Sequence, residues 1–262
     1  MMDQSLVERL GGELFSALRD GQTLAPLTST NPSITIDDAY QISLDFLARR
    51  RREGERVVGK KIGVTSRVVM TMLDVHQPDF GFLTDAMAVE PGASVAIAGR
   101  LIQPRAEAEI AFILKEDLKG PGVDEAAVLA ATASIHPCFE IVDSRITDWK
   151  IRIEDTVADN ASCGLFVLGP GLNDPLGFDF ETCGVAVSKN DQIISTGAGA
   201  AALGSPLTAV AWLANALGRY GTSLEAGDVI LSGSLVPLEP ARPGDRFHVR
   251  IGGLGETSIA FS

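Results

Sequence analysis

The chain has 262 residues, a formal charge of −12 at pH 7 and a pI near 4.7. Its 45% hydrophobic and 21% charged residues are those of a packed globular protein and exclude a disordered chain. The acidic balance repels phosphate backbones and anionic lipid heads, so neither nucleic acid nor a membrane is an expected partner.

In chain order, Leu6, Leu10, Leu14 and Leu18 recur every fourth residue and predict a helix that Gly21 ends. Thr35 is placed to cap a second helix, with Tyr40, Leu44 and Leu47 on one face before Gly54 stops it. The basic run Arg49 to Arg52 reads as the solvated end of that helix, flanked by Glu53 and Glu55. From Arg56 the texture changes to short apolar runs punctuated by glycine. Strands are expected at Val57 to Ile62, Glu107 to Leu114, Cys138 to Asp143 and Leu165 to Leu168. A helix is expected over Asp124 to Ser134, then a hairpin of Val185 to Ser188 and Gln192 to Ser195. A second helix over Pro206 to Leu217 and strands at Val229 to Ser232 and Phe247 to Ile251 complete the reading. The stretch Gln192 to Gly218 carries no charge and is long enough to span a bilayer, but its glycines, Ser205-Pro206 and Asn215 break it into a loop and a buried helix. The division expected is a helical N-terminal segment over 1–55 and a sheet-based body over 56–262.

Three scattered cysteines, Cys138, Cys163 and Cys183, suggest neither a disulfide framework nor a thiolate zinc site. With no apolar signal core near the N-terminus, a cytoplasmic location is expected. His76, His136 and His248 show no ligand spacing.

The strongest local signal is Pro104-Arg105-Ala106-Glu107-Ala108-Glu109. Strand alternation sends Glu107 and Glu109 to one face and Ala108, Ile110 and Phe112 to the other. Same-face carboxylates repel each other and lose hydration, a cost that a divalent cation with oxygen ligands removes. An edge strand with both glutamates in water is the bland alternative. Glu140, between Phe139 and Ile141, reads as an interior carboxylate in need of a partner. Three carboxylates with open positions for water and substrate suit Mg²⁺ or Mn²⁺. In Gly59-Lys60-Lys61-Ile62-Gly63 the two lysines alternate, so that one can enter a pocket while the other reaches solvent, and the glycines let a ligand approach the backbone. Both lysines at the surface is the bland reading.

Gly59-Lys60-Lys61-Ile62-Gly63-Val64-Thr65-Ser66, Pro104-Arg105-Ala106-Glu107-Ala108-Glu109 and Val157-Ala158-Asp159-Asn160-Ala161-Ser162 together resemble the 2-oxopent-4-enoate (2-hydroxypenta-2,4-dienoate) hydratases of meta-cleavage aromatic catabolism, within the fumarylacetoacetate hydrolase superfamily. The likeness runs from about Leu6 to the C-terminus. It implies an α+β fold, a mixed β-sheet roll with a helical N-terminal segment, assembled into homo-oligomers. It also implies that Glu107, Glu109 and Glu140 bind Mg²⁺ or Mn²⁺ and, through it, a small 2-oxo or 2-enol carboxylic acid. Lys61 and Asp79 match catalytic positions beside the substrate, and Ser162 and Ser234 match substrate-binding hydroxyls. The activity implied is a hydro-lyase converting 2-hydroxypenta-2,4-dienoate to 4-hydroxy-2-oxopentanoate. The nearest alternative is the sister 4-oxalocrotonate decarboxylase, with hydrolysis of an acylpyruvate as a third reading. From another class comes a partner subunit in complex with that decarboxylase, stabilising it without turnover. A second carboxylate on the decarboxylase substrate needs a cation or several donors, and Arg145 or Arg152 could supply the cation.

Overall fold

The computed structural model describes residues 2–67, 70, 71 and 75–262. Helices α1 (Gln4–Asp20) and α3 (Ile36–Arg52) pack on each other, with the short α2 (Leu27–Thr30) between them in sequence. Val7, Leu10, Leu14 and Ala17 form the buried stripe of α1, and Gly21 closes it with a φ of 64° that a residue with a Cβ would resist. Thr35 caps α3 as expected: its hydroxyl accepts from the Asp38 N–H at 3.2 Å, and the Asp38 carboxylate accepts from the Thr35 N–H at 3.2 Å.

Two expectations for α3 need correction. Leu44 is exposed, because the buried stripe runs through Ala39, Ile42, Ser43, Phe46, Leu47 and Arg50 at i, i+3, i+4 spacing and position 44 lies off it. The basic end is not wholly solvated either. Arg50 is buried, with its guanidinium on the Glu55 carboxylate at 3.0 and 3.1 Å and on the Thr84 hydroxyl at 3.3 Å.

The body is built from two sheets. The nine-stranded sheet runs, in spatial order, β2 (Asp79–Thr84), β1 (Val57–Gly63), β11 (Val229–Leu231), β5 (Pro104–Leu114), β6 (Thr132–Asp143), β7 (Cys163–Leu168) and β3 (Ala88–Val89). Off this path, β12 (Glu239–Pro240) pairs with β5 and β8 (Leu172–Asn173) with β6. The five-stranded sheet runs β10 (Gln192–Ala198), β9 (Gly184–Lys189), β13 (Arg246–Ile251), β14 (Gly255–Phe261) and β4 (Ser94–Val95). The β9–β10 hairpin turns through Asn190 and Asp191 at φ 54° and 65°. Parallel and antiparallel pairs are mixed, which is the α+β roll anticipated.

Further helices of the fold are α4 (Glu125–Ala131), α5 (Ile153–Ala158) and α6 (Pro206–Gly218). The first is shorter than its sequence suggests. Residues 132–134 leave it because Thr132 and Ser134 are already paired with Leu114 and Ile113 in the β5–β6 ladder, and long-range pairing overrides local propensity. The uncharged stretch from Gln192 forms β10 and then the 13-residue α6, which Ser205 caps by accepting from the Leu207 N–H at 3.3 Å. Val210, Leu213 and Leu217 of α6 lie in one hydrophobic core with Leu10 and Leu14 of α1 and Phe46 of α3.

The large sheet is curled, so its two faces differ. Ala108, Ile110, Phe112, Phe139 and Ile141 enter that main core. Leu83, Met87, Ala111, Cys138, Phe166 and Leu231, drawn from opposite ends of the strand order, meet in a separate cluster. Side chains from distant strands touch only across a concave surface, and this is the surface that carries the chemistry.

Candidate active site

Three glutamates meet on the concave face because of strand register. In the antiparallel β5–β6 ladder Glu107 lies opposite Glu140 and Glu109 opposite Cys138, and directly opposed residues share a face. One carboxylate oxygen from each glutamate lies within 4.8 Å of the other two. Glu109 and Glu140 are fully buried, while Glu107 is partly open.

Lys61 reaches the same space from β1, where it pairs with Leu231 of β11, itself opposite Ala111 of β5. Its Nζ is 3.1 Å from Glu140 Oε1. Alternation does separate the two lysines, but Lys60 does not reach solvent. It crosses to the other face and forms a buried ion pair with Asp228. The flanking glycines also differ from expectation. A Cβ on Gly59 would lie 1.9 Å from the Val229 carbonyl oxygen, so this glycine admits the neighbouring strand rather than a ligand. A Cβ on Gly63 would come within 2.2 Å of Asp79 Oδ1 and 3.4 Å of Lys61 Nζ, which shows that both groups overhang it.

The oxygens assembled here are undersupplied with donors. Gly233 N–H donates to Glu109 Oε2 at 2.8 Å. Apart from the Lys61 ammonium, Glu109 Oε1, both oxygens of Glu140 and both oxygens of Asp79 are buried without a hydrogen-bond partner among the described residues. Burial and the neighbouring Glu140 push Glu107 up to about 8, with the Lys61 charge opposing. Burial likewise raises Glu109 and Glu140 above the ordinary carboxylate range. Asp79 is pushed up to about 6 by burial, again with Lys61 opposing. For Lys61 burial acts to lower the pKa, but Glu140, Asp79 and Glu107 outweigh it and hold the ammonium charged. Orphaned, acidic, oxygen-only donors of this kind fit a hard divalent cation.

The hydroxyls of the two serines are engaged elsewhere. Ser162 Oγ donates to Asp159 Oδ2 at 3.4 Å, and Ser234 Oγ to the Val236 carbonyl at 2.6 Å. Of the arginines considered for a second substrate carboxylate, Arg145 is fully buried and spent on Asp159 at 2.5 Å and on the carbonyls of Asp143, Asp159 and Cys163. Arg152 is a surface residue 3.6 Å from Glu154. His136 is satisfied between Ser134 Oγ at 2.9 Å and the Gly169 carbonyl at 2.8 Å. Sequence reasoning assigned no role to Gly233 or Asn160. The second stood inside a recognised motif, Asp159-Asn160-Ala161-Ser162, whose unusual backbone no periodicity reveals.

Residues 58–260 match the family model described as fumarylacetoacetate (FAA) hydrolase C-terminal. The chain belongs to the fumarylacetoacetate hydrolase family. Among its relatives in that family, a 2-hydroxyhexa-2,4-dienoate hydratase of Comamonas testosteroni is 58% identical over 263 residues, covering 100% of both chains. A 2-hydroxypent-2,4-dienoate hydratase of Pseudomonas putida is 62% identical over 220 residues, covering 84% of this chain and 99% of its own. The fumarylacetoacetate hydrolase fold is seen closely matched in a 4-oxalocrotonate decarboxylase from Pseudomonas putida G7, complexed with magnesium and adipate. That structure has a TM-score of 0.97 and 35% identity, covering 100% of this chain and 99% of that one.

Proposed function

We propose that this protein is a divalent-metal-dependent hydro-lyase that adds water to 2-hydroxypenta-2,4-dienoate, giving 4-hydroxy-2-oxopentanoate. The observation that carries the reading is 58% identity along the whole chain with a hydratase of a 2-hydroxydienoate. Glu107, Glu109 and Glu140 would hold the ion, Mg²⁺ or Mn²⁺, which supplies the positive charge that draws electrons from a 2-oxo acid. Lys61 and Asp79 handle protons: the dienol is protonated at its far carbon to a 2-oxo-3-enoate, and water then adds at C4. An Asp79 raised to about 6 exchanges protons near neutrality, and the charged Lys61 holds an anionic substrate carboxylate or enolate. Ser162 and Ser234 would turn their hydroxyls to the substrate. The decarboxylase reading is weakened because Arg145 is enclosed around Asp159 and Arg152 lies at the surface beside Glu154.

The deciding assay compares freshly made 2-hydroxypenta-2,4-dienoate with 2-oxohex-3-enedioate under the same Mg²⁺. It follows loss of dienol absorbance and release of CO₂. Hydration is expected to have the larger kcat/KM, and faster CO₂ release would replace this reading with the decarboxylase.

A linked result concerns pH. The folded, metal-free protein holds protons on carboxylates whose pKa values lie above their unfolded value of 4.5, with Glu107 near 8. That stabilisation is full at low pH and is lost as pH rises from the unfolded value through the folded ones. Mg²⁺ needs the deprotonated ligands, so its increment in Tm should grow between about pH 5 and about pH 8.5. Thermal melts with and without Mg²⁺ at both pH values check this, and an increment that shrinks with pH would contradict it.

A further inference from the structure

We infer that Asn160 is a positioning residue, closing the curled sheet between β2 and the turn ahead of β7 and so setting where Asp79 stands relative to the three glutamates. The inference rests on the reading above that Asp79 moves a proton. It begins with β2, the edge strand of the large sheet, which has β1 on one side only. The other side lies against the turn and β7, and among the described residues no strand ladder joins them. At Phe82 the Asn160 carboxamide takes the place of the missing strand. Phe82 N–H donates to Asn160 Oδ1 at 2.8 Å, and Asn160 Nδ2 donates to the Phe82 carbonyl at 2.9 Å. Both bonds are buried, where an unpaired backbone group would be costly.

The backbone that presents this carboxamide is strained and firmly held. Asn160, Ala161 and Ser162 have φ values of 53°, 50° and 54°, a left-handed run that L-residues avoid and that asparagine tolerates best. Ser162 N–H donates to the Asp159 carbonyl at 2.9 Å, and Arg145 holds the ends of the turn through the Asp159 carboxylate and the carbonyls of Asp159 and Cys163. Strain persists only where the surroundings over-determine it. Gly81 completes the fit, since a Cβ there would lie 2.5 Å from the Asn160 carbonyl oxygen and 3.0 Å from Cys163 Sγ.

The consequence falls on Asp79, two residues before Gly81 on the same face of β2. Among the described side chains, none donates a hydrogen bond to either oxygen of its carboxylate. Its side chain leans over Gly63 beside Lys61, and its place along the sheet follows the backbone of β2, which is fastened by β1 on one edge and by Asn160 on the other. The glutamates are on β5 and β6, paired with each other well inside the sheet, and do not depend on this fastening.

Asn160→Gly keeps the left-handed backbone and removes both bonds; Asn160→Asp keeps the acceptor for Phe82 N–H and removes the donor. In the full-length protein, hydrogen exchange of the β2 segment is expected to speed up by about 10-fold or more in Asn160→Gly, while exchange in β5 is unchanged. The kcat on 2-hydroxypenta-2,4-dienoate should fall by roughly 10- to 100-fold, with Asn160→Asp between it and wild type. Mg²⁺ affinity measured by calorimetry should stay within about 2-fold, because the ligands are elsewhere. Faster exchange with kcat within about 2-fold of wild type would overturn the positioning role. So would a parallel loss of Mg²⁺ affinity and kcat, which marks general damage. Unchanged exchange would overturn the closure itself. If Asn160→Gly does not fold, the same three measurements on Asn160→Asp decide. A wild-type protein inactive on the dienoate would sink the substrate reading instead, and exchange and Mg²⁺ binding would still judge the closure.

Discussion

Glu140→Gln is expected to lower turnover by at least about 100-fold and to weaken Mg²⁺ binding in step, because it removes one charge of a three-carboxylate site at nearly constant shape. Glu140 is the residue on which the cluster hinges. It lies opposite Glu107 in the ladder, is buried, and has Lys61 Nζ at 3.1 Å. Its neutral amide cannot serve as an anionic ligand, and it leaves the buried ammonium of Lys61 with less to balance it. Stability without metal should change little, since relief of the repulsion on Glu107 and Glu109 offsets the loss of the buried partner of Lys61. Calorimetric titration with Mg²⁺ beside steady-state kinetics checks the pair of effects. Normal metal dependence and rate in Glu140→Gln would remove the three-carboxylate site from consideration.

Lys61→Ala and Lys60→Ala should fail in opposite ways. The two residues are adjacent in sequence and both buried, yet one lies on the concave face and the other does not. Lys61→Ala is expected to cut kcat by about 10²- to 10⁴-fold, the range for loss of a proton-handling group, with the fold retained because Glu140, whose pKa burial already raises, can take up a proton once the ammonium is gone. Lys60→Ala strands the carboxylate of Asp228, which is buried and otherwise accepts from the Glu225 N–H at 2.7 Å. Removing one member of a buried pair costs about 3 kcal/mol or more, so this variant should unfold at lower urea while its folded fraction keeps near-normal kcat. Urea titrations and kinetics at low temperature separate the cases. A crippled kcat with intact stability in Lys60→Ala would mean that the register of β1 against β11 is wrong.

Those paired outcomes show where sequence reasoning reaches its limit. Alternation alone could say that Glu107 and Glu109 share a face and that Lys60 and Lys61 do not, because the two-residue repeat of a strand is a local property. The apolar setting of Glu140 marked it as interior for the same reason. The caps at Thr35 and Ser205, the stop at Gly21 and the hairpin at Asn190-Asp191 were equally legible, each being decided within a few residues. The strand β2, bearing Asp79, was not anticipated, since Asp79–Thr84 is a short run without clear alternation.

What the tertiary structure decided is everything set by partners far along the chain. Whether Lys60 meets water or Asp228, 168 residues away, depends on how β1 lies against β11. Arg145 carries a charge that local sequence would offer to a ligand, but the fold encloses it around Asp159. Leu44 is turned outward by where α3 meets its neighbours, and residues 132–134 are drawn from a helix into a ladder by β5. The left-handed turn at Asn160 has no periodicity to betray it, because its bonds run to Phe82, 78 residues earlier. Local chemistry chooses the residues that can react; register and closure of the sheet decide which of them face one another, since only long-range pairing brings separate strands to one surface.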